Sequence, residues 1–370
     1  MDTEKKPNQG LSSAAATKAS HLERSLALAL LRRRQASTLR NLTLPTTNAI
    51  DFSSNDFLSL SNSSALRDLY LRELAGRPNF PLGSGGSRLL DGNSKYAEAL
   101  ERDIAAFHGA EDGLLCNSGF DANAGLFSVL PQPGDIVVYD SYIHASVHDG
   151  MRASRAGANF AFIHNSVEDL RAVLKRCIAS DEKFRSGRRS IFIAVEAIYS
   201  MDGDVAPLKE IVEAVNDLLP NGNGHIIVDE AHSTGVLGPQ GRGLVSALGL
   251  EDKITIRLHT FGKAMACNGG KYSLLRLTML VSYLTSICSH HTLQSAHQAL
   301  LDQLRTTTNL HNLLVIPSVS SHQSSLHISV ERQQYCTRHT SLRSYQSFAQ
   351  KVVCSHFEST TTSTPPSSSS

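Results

Sequence analysis

The chain has 370 residues, a formal net charge of +1 and 41% hydrophobic residues. A chain of this length can bury a large core. Because the net charge is close to zero, no overall field attracts nucleic acid, and we expect no nucleic-acid partner. Apolar runs fall short of the ~18 residues that span a bilayer, so we also expect no membrane partner.

The cysteines and the first residues point to a cytoplasmic protein. The six cysteines are scattered, with a spacing typical of neither a disulfide framework nor a zinc site. The first ten residues are polar and lack the apolar core of a signal peptide. We therefore expect reduced thiols, a cytoplasmic location and no metal.

Residues 1–49 are predicted to form an N-terminal arm that contains one helix. Over residues 21–40, leucines recur on one side and arginines on the other, which predicts an amphipathic helix. Residues 50–58 are then predicted to be an extended segment that enters the main domain. We expect that domain to cover residues 50–270.

The main domain alternates between strand-like and helix-like segments. Strands are predicted at 136–139, 160–163, 190–195, 224–228 and 254–258, and helices at 96–108, 167–178 and 208–219. This alternation predicts an α/β fold with a mainly parallel sheet. Polar residues follow several of the strands, and such sheets bind ligands at the carboxyl ends of their strands.

Short motifs that carry chemistry follow one another along this domain. They are SSNDFLSL from Ser53, GSGGSR from Gly83, SGF from Ser118, His144, EAIYSMDGD from Glu196, DEAH from Asp229 and TFGK from Thr260. This ordered set resembles the α-oxoamine synthase family of pyridoxal-phosphate enzymes. The resemblance covers about residues 22–270 and implies the fold of class I/II aminotransferases, also called fold type I.

The resemblance implies one residue for each requirement of pyridoxal 5'-phosphate. Lys263 supplies the amine that attaches to the cofactor. Asp229 keeps the pyridine nitrogen protonated, His144 stacks on the ring, and His232 donates a hydrogen bond to the phenolic oxygen. Lys263, Asp229 and His144 are therefore the expected catalytic residues.

The same resemblance assigns further contacts to cofactor and substrate. The N-terminus of a predicted helix offers free N–H groups and a favourable dipole to the phosphate. The expected set is Ser118, Gly119, Phe120 and Thr260 for the phosphate, Ser200 near the cofactor, and Arg40 and Asn55 for the substrate.

Within the family, the run from Ser84 to Asn93 is most similar to the branch that acts in biotin biosynthesis. That branch condenses L-alanine with pimeloyl-CoA and releases CoA and CO2, which implies that Lys263 removes the α-proton of alanine. The family works as a homodimer. The aminolevulinate, aminoketobutyrate and sphingoid-base branches share these motifs and stay open, as does an inactive truncated paralogue.

Two other functions use parts of the same sequence. Asp229–His232 matches the DEAH box of helicases, which also need a phosphate loop. The segment before Lys271 fails that pattern, because Met265 stands where its first glycine belongs. A group of one cysteine and three histidines downstream has the residue types of a zinc site, but its irregular spacing is not typical of one. That group is Cys288, His290, His291 and His297.

Residues 271–370 differ in composition from the main domain. They contain three acidic residues, Asp302, Glu331 and Glu358, and end in a low-complexity run of threonine, proline and serine. The resemblance ends at Gly270, as a shifted reading frame or a retained intron would cause. We therefore predict that the C-terminal small domain of the family is missing or replaced, and that this tail is poorly ordered.

Overall fold

The computed structural model describes residues 20–44, 46, 49–81, 83–267 and 269–274. The chain divides into two compact units, Met1–Ser53 and Ser54–Ser370. The described part of the first unit contains one helix. The second unit contains the sheet and the candidate catalytic residues.

Helix α1, His21–Gln35, is the predicted N-terminal helix. A capping box begins it, because the Glu23 amide donates to the Ser20 hydroxyl at 3.2 Å and the Ser20 amide donates to the Glu23 carboxylate at 2.6 Å. It ends before the predicted residue 40, since Ser37 takes a left-handed conformation with φ 53°, which an α-helix does not continue. None of its residues is buried.

The described part of the second unit contains a seven-stranded sheet. Its strands are β1 Asp112–Cys116, β2 Ile136–Asp140, β3 Ala158–Phe162, β4 Ile191–Glu196, β5 Gly224–Asp229, β6 Ile256–Thr260 and β7 Gly270–Leu274. The spatial order is β1-β7-β6-β5-β4-β2-β3. Strands β2 to β6 pair in parallel, and β7 is antiparallel to β1 and β6. The predicted α/β fold with a mainly parallel sheet is confirmed.

Helices connect most of these strands. They are α2 Ser64–Ala75, α3 Lys95–Phe107, α4 Gly119–Val129, α5 Ala145–Arg152, α6 Val167–Ser180, α7 Glu182–Arg185, α8 Leu208–Leu218 and α9 Leu244–Ala247, with short 3-10 turns at Leu60–Asn62 and Pro239–Gly241. Among the residues that the structure describes, no helix is both long and apolar enough to cross a membrane.

Strand β4 shows why the sheet is covered on both faces. Ile191, Ile193 and Val195 pack into a core with residues of α6 and α8, whereas Phe192 and Ala194 pack into a second core with residues of α4 and α5. Successive side chains of a strand point to opposite faces. The continuous apolar run at 190–195 is therefore a strand buried on both sides, as parallel sheets require.

Four of the five parallel strands end in polar residues along one edge of the sheet. Asp140 ends β2, Glu196 ends β4, Asp229 ends β5 and Thr260 ends β6. Glu196 lies directly opposite Asp229 in the β4–β5 register. The topology therefore brings together side chains that are far apart in sequence.

Strand β7 continues past the predicted domain boundary at residue 270. Gly270 pairs with Cys116 on one side and Thr260 on the other. The next residue, Lys271, is fully buried and donates to the Glu101 carbonyl at 2.5 Å. The rest of the predicted tail, with its candidate zinc ligands, lies outside the described residues, so the domain boundaries stay a prediction.

Candidate active site

Asp229 is a buried carboxylate with two hydrogen-bond donors. The Asn123 side-chain amide donates to Oδ2 at 2.7 Å, and the Ala231 backbone amide donates to Oδ1 at 2.9 Å. Asn123 lies on α4, one turn after the helix begins, and is itself buried. These donors fix the orientation of the carboxylate at the end of β5.

His144 is linked to Asp229 through a chain of side chains. It is the N-cap residue of α5, and its Nδ1 accepts from the Ser146 amide at 3.2 Å and lies 2.7 Å from the Ser146 hydroxyl. Asn123 donates to both the Ser146 hydroxyl, at 3.1 Å, and Asp229. Burial lowers the pKa of His144, and the Lys263 charge lowers it further, against the opposing effect of Asp229. The ring is therefore held in place, and its neutral form is favoured.

Lys263 and His232 are in direct contact. The Lys263 Nζ lies 2.7 Å from the His232 Nε2. Burial lowers the pKa of Lys263, although Asp229 and Glu196 oppose this. Burial, followed by the charges of Lys263 and His144, lowers the pKa of His232 to about 3. The site therefore contains a half-buried amine with a lowered pKa next to a neutral imidazole, which favours a nucleophilic amine.

Gly119, at the start of α4, lies close to the Thr260 side chain at the end of β6. A Cβ atom added to Gly119 would lie 2.2 Å from the Thr260 hydroxyl oxygen, so glycine permits this approach. First-turn N–H groups of a helix have no intrahelical acceptor and favour anions. The Ser118 hydroxyl caps the helix instead, because it accepts from the Asp121 amide and donates to the Asp121 carboxylate, both at 3.0 Å.

Aromatic rings and a tight turn lie around these groups. The Phe120 ring makes an edge contact with His144 at a centroid distance of 6.0 Å, and Phe57 lies 6.1 Å from the His232 ring. Ser200 is exposed in a turn that the Tyr199 amide closes by donating to the Asp204 carbonyl at 3.0 Å. Its role at the cofactor stays a prediction.

The two expected substrate residues occupy different units. Arg40 is exposed in the first unit, after α1. Asn55 is exposed in the second unit, two residues before Phe57. The structure thus brings Lys263, Asp229 and His144 into electrostatic contact, and the substrate roles of Arg40 and Asn55 stay predictions.

Three residues of the site were not predicted. Asn123 and Ser146 connect His144 to Asp229, and Glu196 ends β4 beside Asp229 with 4% of its surface exposed. Glu196 had a usable signal, because a charged residue ended an apolar strand. Asn123 had none, since its partner Asp229 is 106 residues away.

Comparison with known proteins identifies the family. A family model described as aminotransferase class I and II matches residues 47–344. The chain belongs to this family. The match runs through the described sheet and continues beyond Gly270, where the resemblance in motifs ends.

This chain matches only part of the length of its curated relatives. An 8-amino-7-oxononanoate synthase from Emericella nidulans is 58% identical over 249 residues, which are 67% of this chain and 60% of that protein. Aminoacyl transferase sphA from Aspergillus fumigatus is 49% identical over 227 residues, or 61% of this chain and 48% of that protein. The chain therefore spans between about half and three fifths of the length of these relatives.

Solved structures agree with the fold. Serine palmitoyltransferase from Sphingomonas wittichii has a TM-score of 0.65 and 25% identity, and the match covers 79% of this chain and 73% of that chain. A serine palmitoyltransferase chain solved with pyridoxal phosphate has the same TM-score and coverage at 24% identity. The predicted fold of pyridoxal-phosphate-dependent transferases is confirmed.

Proposed function

We propose that this family member is a pyridoxal-phosphate-dependent α-oxoamine synthase that condenses L-alanine with pimeloyl-CoA and releases CoA and CO2. The observation that carries the proposal is the Lys263 amine, 2.7 Å from the neutral imidazole of His232 and within the field of the buried Asp229. The 58% identity to an 8-amino-7-oxononanoate synthase supports this choice of substrates.

The residues present fit pyridoxal phosphate. Because Gly119 has no Cβ, the Thr260 hydroxyl lies close to the first turn of α4. The hydroxyl and the N–H groups of that turn are therefore donors for a phosphate. Asp229, oriented by Asn123, offers a carboxylate to a ring nitrogen. His144 and His232 offer imidazoles to the ring and its phenolic oxygen. When bound, the cofactor supplies an electron sink for the substrate α-carbon.

Each side chain then has a distinct task. The lowered pKa of Lys263 increases its fraction of free amine, which can condense with a carbonyl with loss of water. Once the substrate amine displaces it, the freed Nζ can accept the α-proton. His232 remains neutral beside it, so it adds no cationic repulsion. Asn123 and Ser146 hold Asp229 and His144 in a single hydrogen-bonded arrangement.

A second α-oxoamine synthase activity has its own support. The relative named aminoacyl transferase sphA is 49% identical, and serine palmitoyltransferases match the fold. A sphingoid-base type of condensation, which joins an amino acid to a long-chain acyl-CoA, is therefore the alternative. The two activities differ in both the acyl chain and the amino acid.

Borohydride reduction tests the assignment of Lys263. The purified chain is mixed with pyridoxal phosphate, reduced and digested, and we expect the label on the peptide that contains Lys263. Lys253, whose side chain is half exposed, lies in the turn before β6 and serves as a control lysine. Labelling spread over Lys253 and Lys271, or labelling unchanged in Lys263→Arg, would contradict the assignment.

Release of CoA distinguishes the candidate reactions. We expect faster release from pimeloyl-CoA with L-alanine than from palmitoyl-CoA with L-serine. The opposite preference would support the sphingoid-base alternative. If borohydride labels Lys263 but neither pair of substrates releases CoA, the result would support an inactive paralogue.

We also propose that the enzyme works as a homodimer, as the resemblance implies, and that it is located in the cytoplasm, as its scattered cysteines indicate. Light scattering of the purified chain measures its mass in solution, and a single species at the mass of one 40.0 kDa chain would contradict the homodimer. Cell fractionation, with detection by an antibody to the chain, tests the cytoplasmic location.

A further inference from the structure

Glu196 is a buried carboxyl that the proposed reaction leaves without a task. It ends β4 directly opposite Asp229 on β5, and parallel strands lie about 4.8 Å apart. The His144 backbone amide favours its charged form but is outweighed by burial, and the Glu196 backbone amide donates to the Tyr199 hydroxyl at 3.3 Å. Two carboxyl groups thus lie side by side at the floor of the site.

The two carboxyl groups are supported unequally. Asp229 has two donors of its own, from Asn123 and Ala231. The charged groups around Glu196 are Asp229 and Asp140, which repel its negative form, and Lys263, which attracts it. When two carboxyls share a buried site, one of them keeps its proton.

Glu196 is the carboxyl that keeps the proton. Burial raises its pKa to about 8, and the Asp229 charge contributes in the same direction. The negative charges of Asp229 and Glu196 each raise the pKa of Lys263 and favour its ammonium form. A protonated Glu196 removes one of these two influences, which leaves more of the Lys263 as free amine.

We propose that Glu196 is a positioning residue that holds a proton near neutral pH and thereby keeps the Lys263 amine reactive. Ionisation of Glu196 at alkaline pH places a second negative charge near Lys263 and raises the fraction of its ammonium form. This inference deepens the proposed function, because it concerns the amine to which the cofactor attaches.

Reductive methylation of the full-length chain measures this without cofactor or substrate. The rate at which formaldehyde and a borane reductant label the Lys263 peptide is followed between about pH 6 and about pH 10, where the free amine governs the rate. Glu196→Gln carries a neutral group at every pH. We expect it to match the natural chain below about pH 7 and to react roughly three- to tenfold faster at about pH 9.

Glu230→Gln is the matched control. Glu230 is also buried, and burial raises its pKa to about 7. The cation that opposes this shift is Arg257, whereas for Glu196 it is Lys263. We expect this variant to leave the Lys263 profile unchanged. An identical profile for Glu196→Gln and the natural chain, or a difference that persists below about pH 7, would overturn the proposal, since a purely structural effect has no such pH dependence.

A second measurement covers failure of Glu196→Gln to fold. The infrared carbonyl band of a protonated carboxyl is recorded in Glu230→Gln, because Glu230 is the other buried acid with a raised pKa among the described residues. The band should be present at about pH 7 and lost towards about pH 9; its absence at about pH 7 overturns the proposal. Because neither measurement uses pyridoxal phosphate, both can succeed where borohydride labelling of Lys263 fails, and the two hypotheses stay distinguishable.

Discussion

Gly119→Ala tests the close approach of α4 to the end of β6. The added Cβ would lie 2.2 Å from the Thr260 hydroxyl oxygen, but 3.4 and 3.5 Å from the Thr260 Cβ and Cγ2, which is ordinary contact. Gly119 has no positive φ, so alanine introduces no backbone strain. The conflict is therefore confined to a single hydroxyl.

The size of the effect follows from two opposing contributions. Overpacking of this kind costs about 1–3 kcal/mol, whereas alanine in place of glycine within a helix recovers up to about 1 kcal/mol. We expect Gly119→Ala to lower the free energy of unfolding by about 1–2 kcal/mol. The displaced hydroxyl and amides should also weaken pyridoxal-phosphate binding by roughly tenfold, since hydrogen bonds to charged groups contribute about 1.5–3 kcal/mol each.

Urea unfolding and cofactor titration of a double-mutant cycle provide the assay. Thr260→Ala removes the oxygen that conflicts, so the double variant Gly119→Ala/Thr260→Ala should regain stability with a coupling of about 1–2 kcal/mol. It should still bind the cofactor weakly, because the donor hydroxyl is gone. Thr260→Ser retains the oxygen and should not rescue.

Gly83→Ala is the control, since its Cβ would meet nothing within 4 Å. We expect its unfolding free energy to stay within about 0.5 kcal/mol of the natural chain. Equal stability and cofactor affinity of Gly119→Ala and the natural chain would refute the contact. Rescue by Thr260→Ser as complete as by Thr260→Ala would refute its assignment to the hydroxyl.

Three further predictions concern charge. Asp229→Asn should keep the fold but lower turnover on the order of a hundredfold or more, measured by CoA release; near-normal turnover would refute its role. Arg88→Met should cost about 3–5 kcal/mol in urea unfolding, because it leaves the buried Glu101 carboxylate without its ion-pair partner; a loss below about 1 kcal/mol would show that the pair contributes little. His232, with a pKa of about 3, should show a neutral ring in nitrogen NMR from about pH 5 upwards, and a cationic ring at about pH 5 would contradict its assigned state.

Five of the seven described strands were predicted, because their signals are local, whereas β1 and β7 were missed. The apolar run at 190–195 predicts β4, Ile191–Glu196, to within one residue, since a strand buried on both faces needs no alternation. Asp229 and His232 are three residues apart and were grouped by the DEAH motif. The end of α1 was missed, because the basic side of the predicted helix was extended to Arg40, whereas Ser37 turns into the left-handed region.

The sequence by itself determined the α/β class, the family and the candidates Lys263, Asp229, His144 and His232, because periodicity and motif order are written along the chain. Only the tertiary structure decided that Asn123 orients Asp229 across 106 residues and that the Lys263 amine meets His232. It also placed Glu196 beside Asp229. The physical reason is that burial, register and the charges of neighbours set a side chain's protonation and partners, and these arise only when distant strand ends meet.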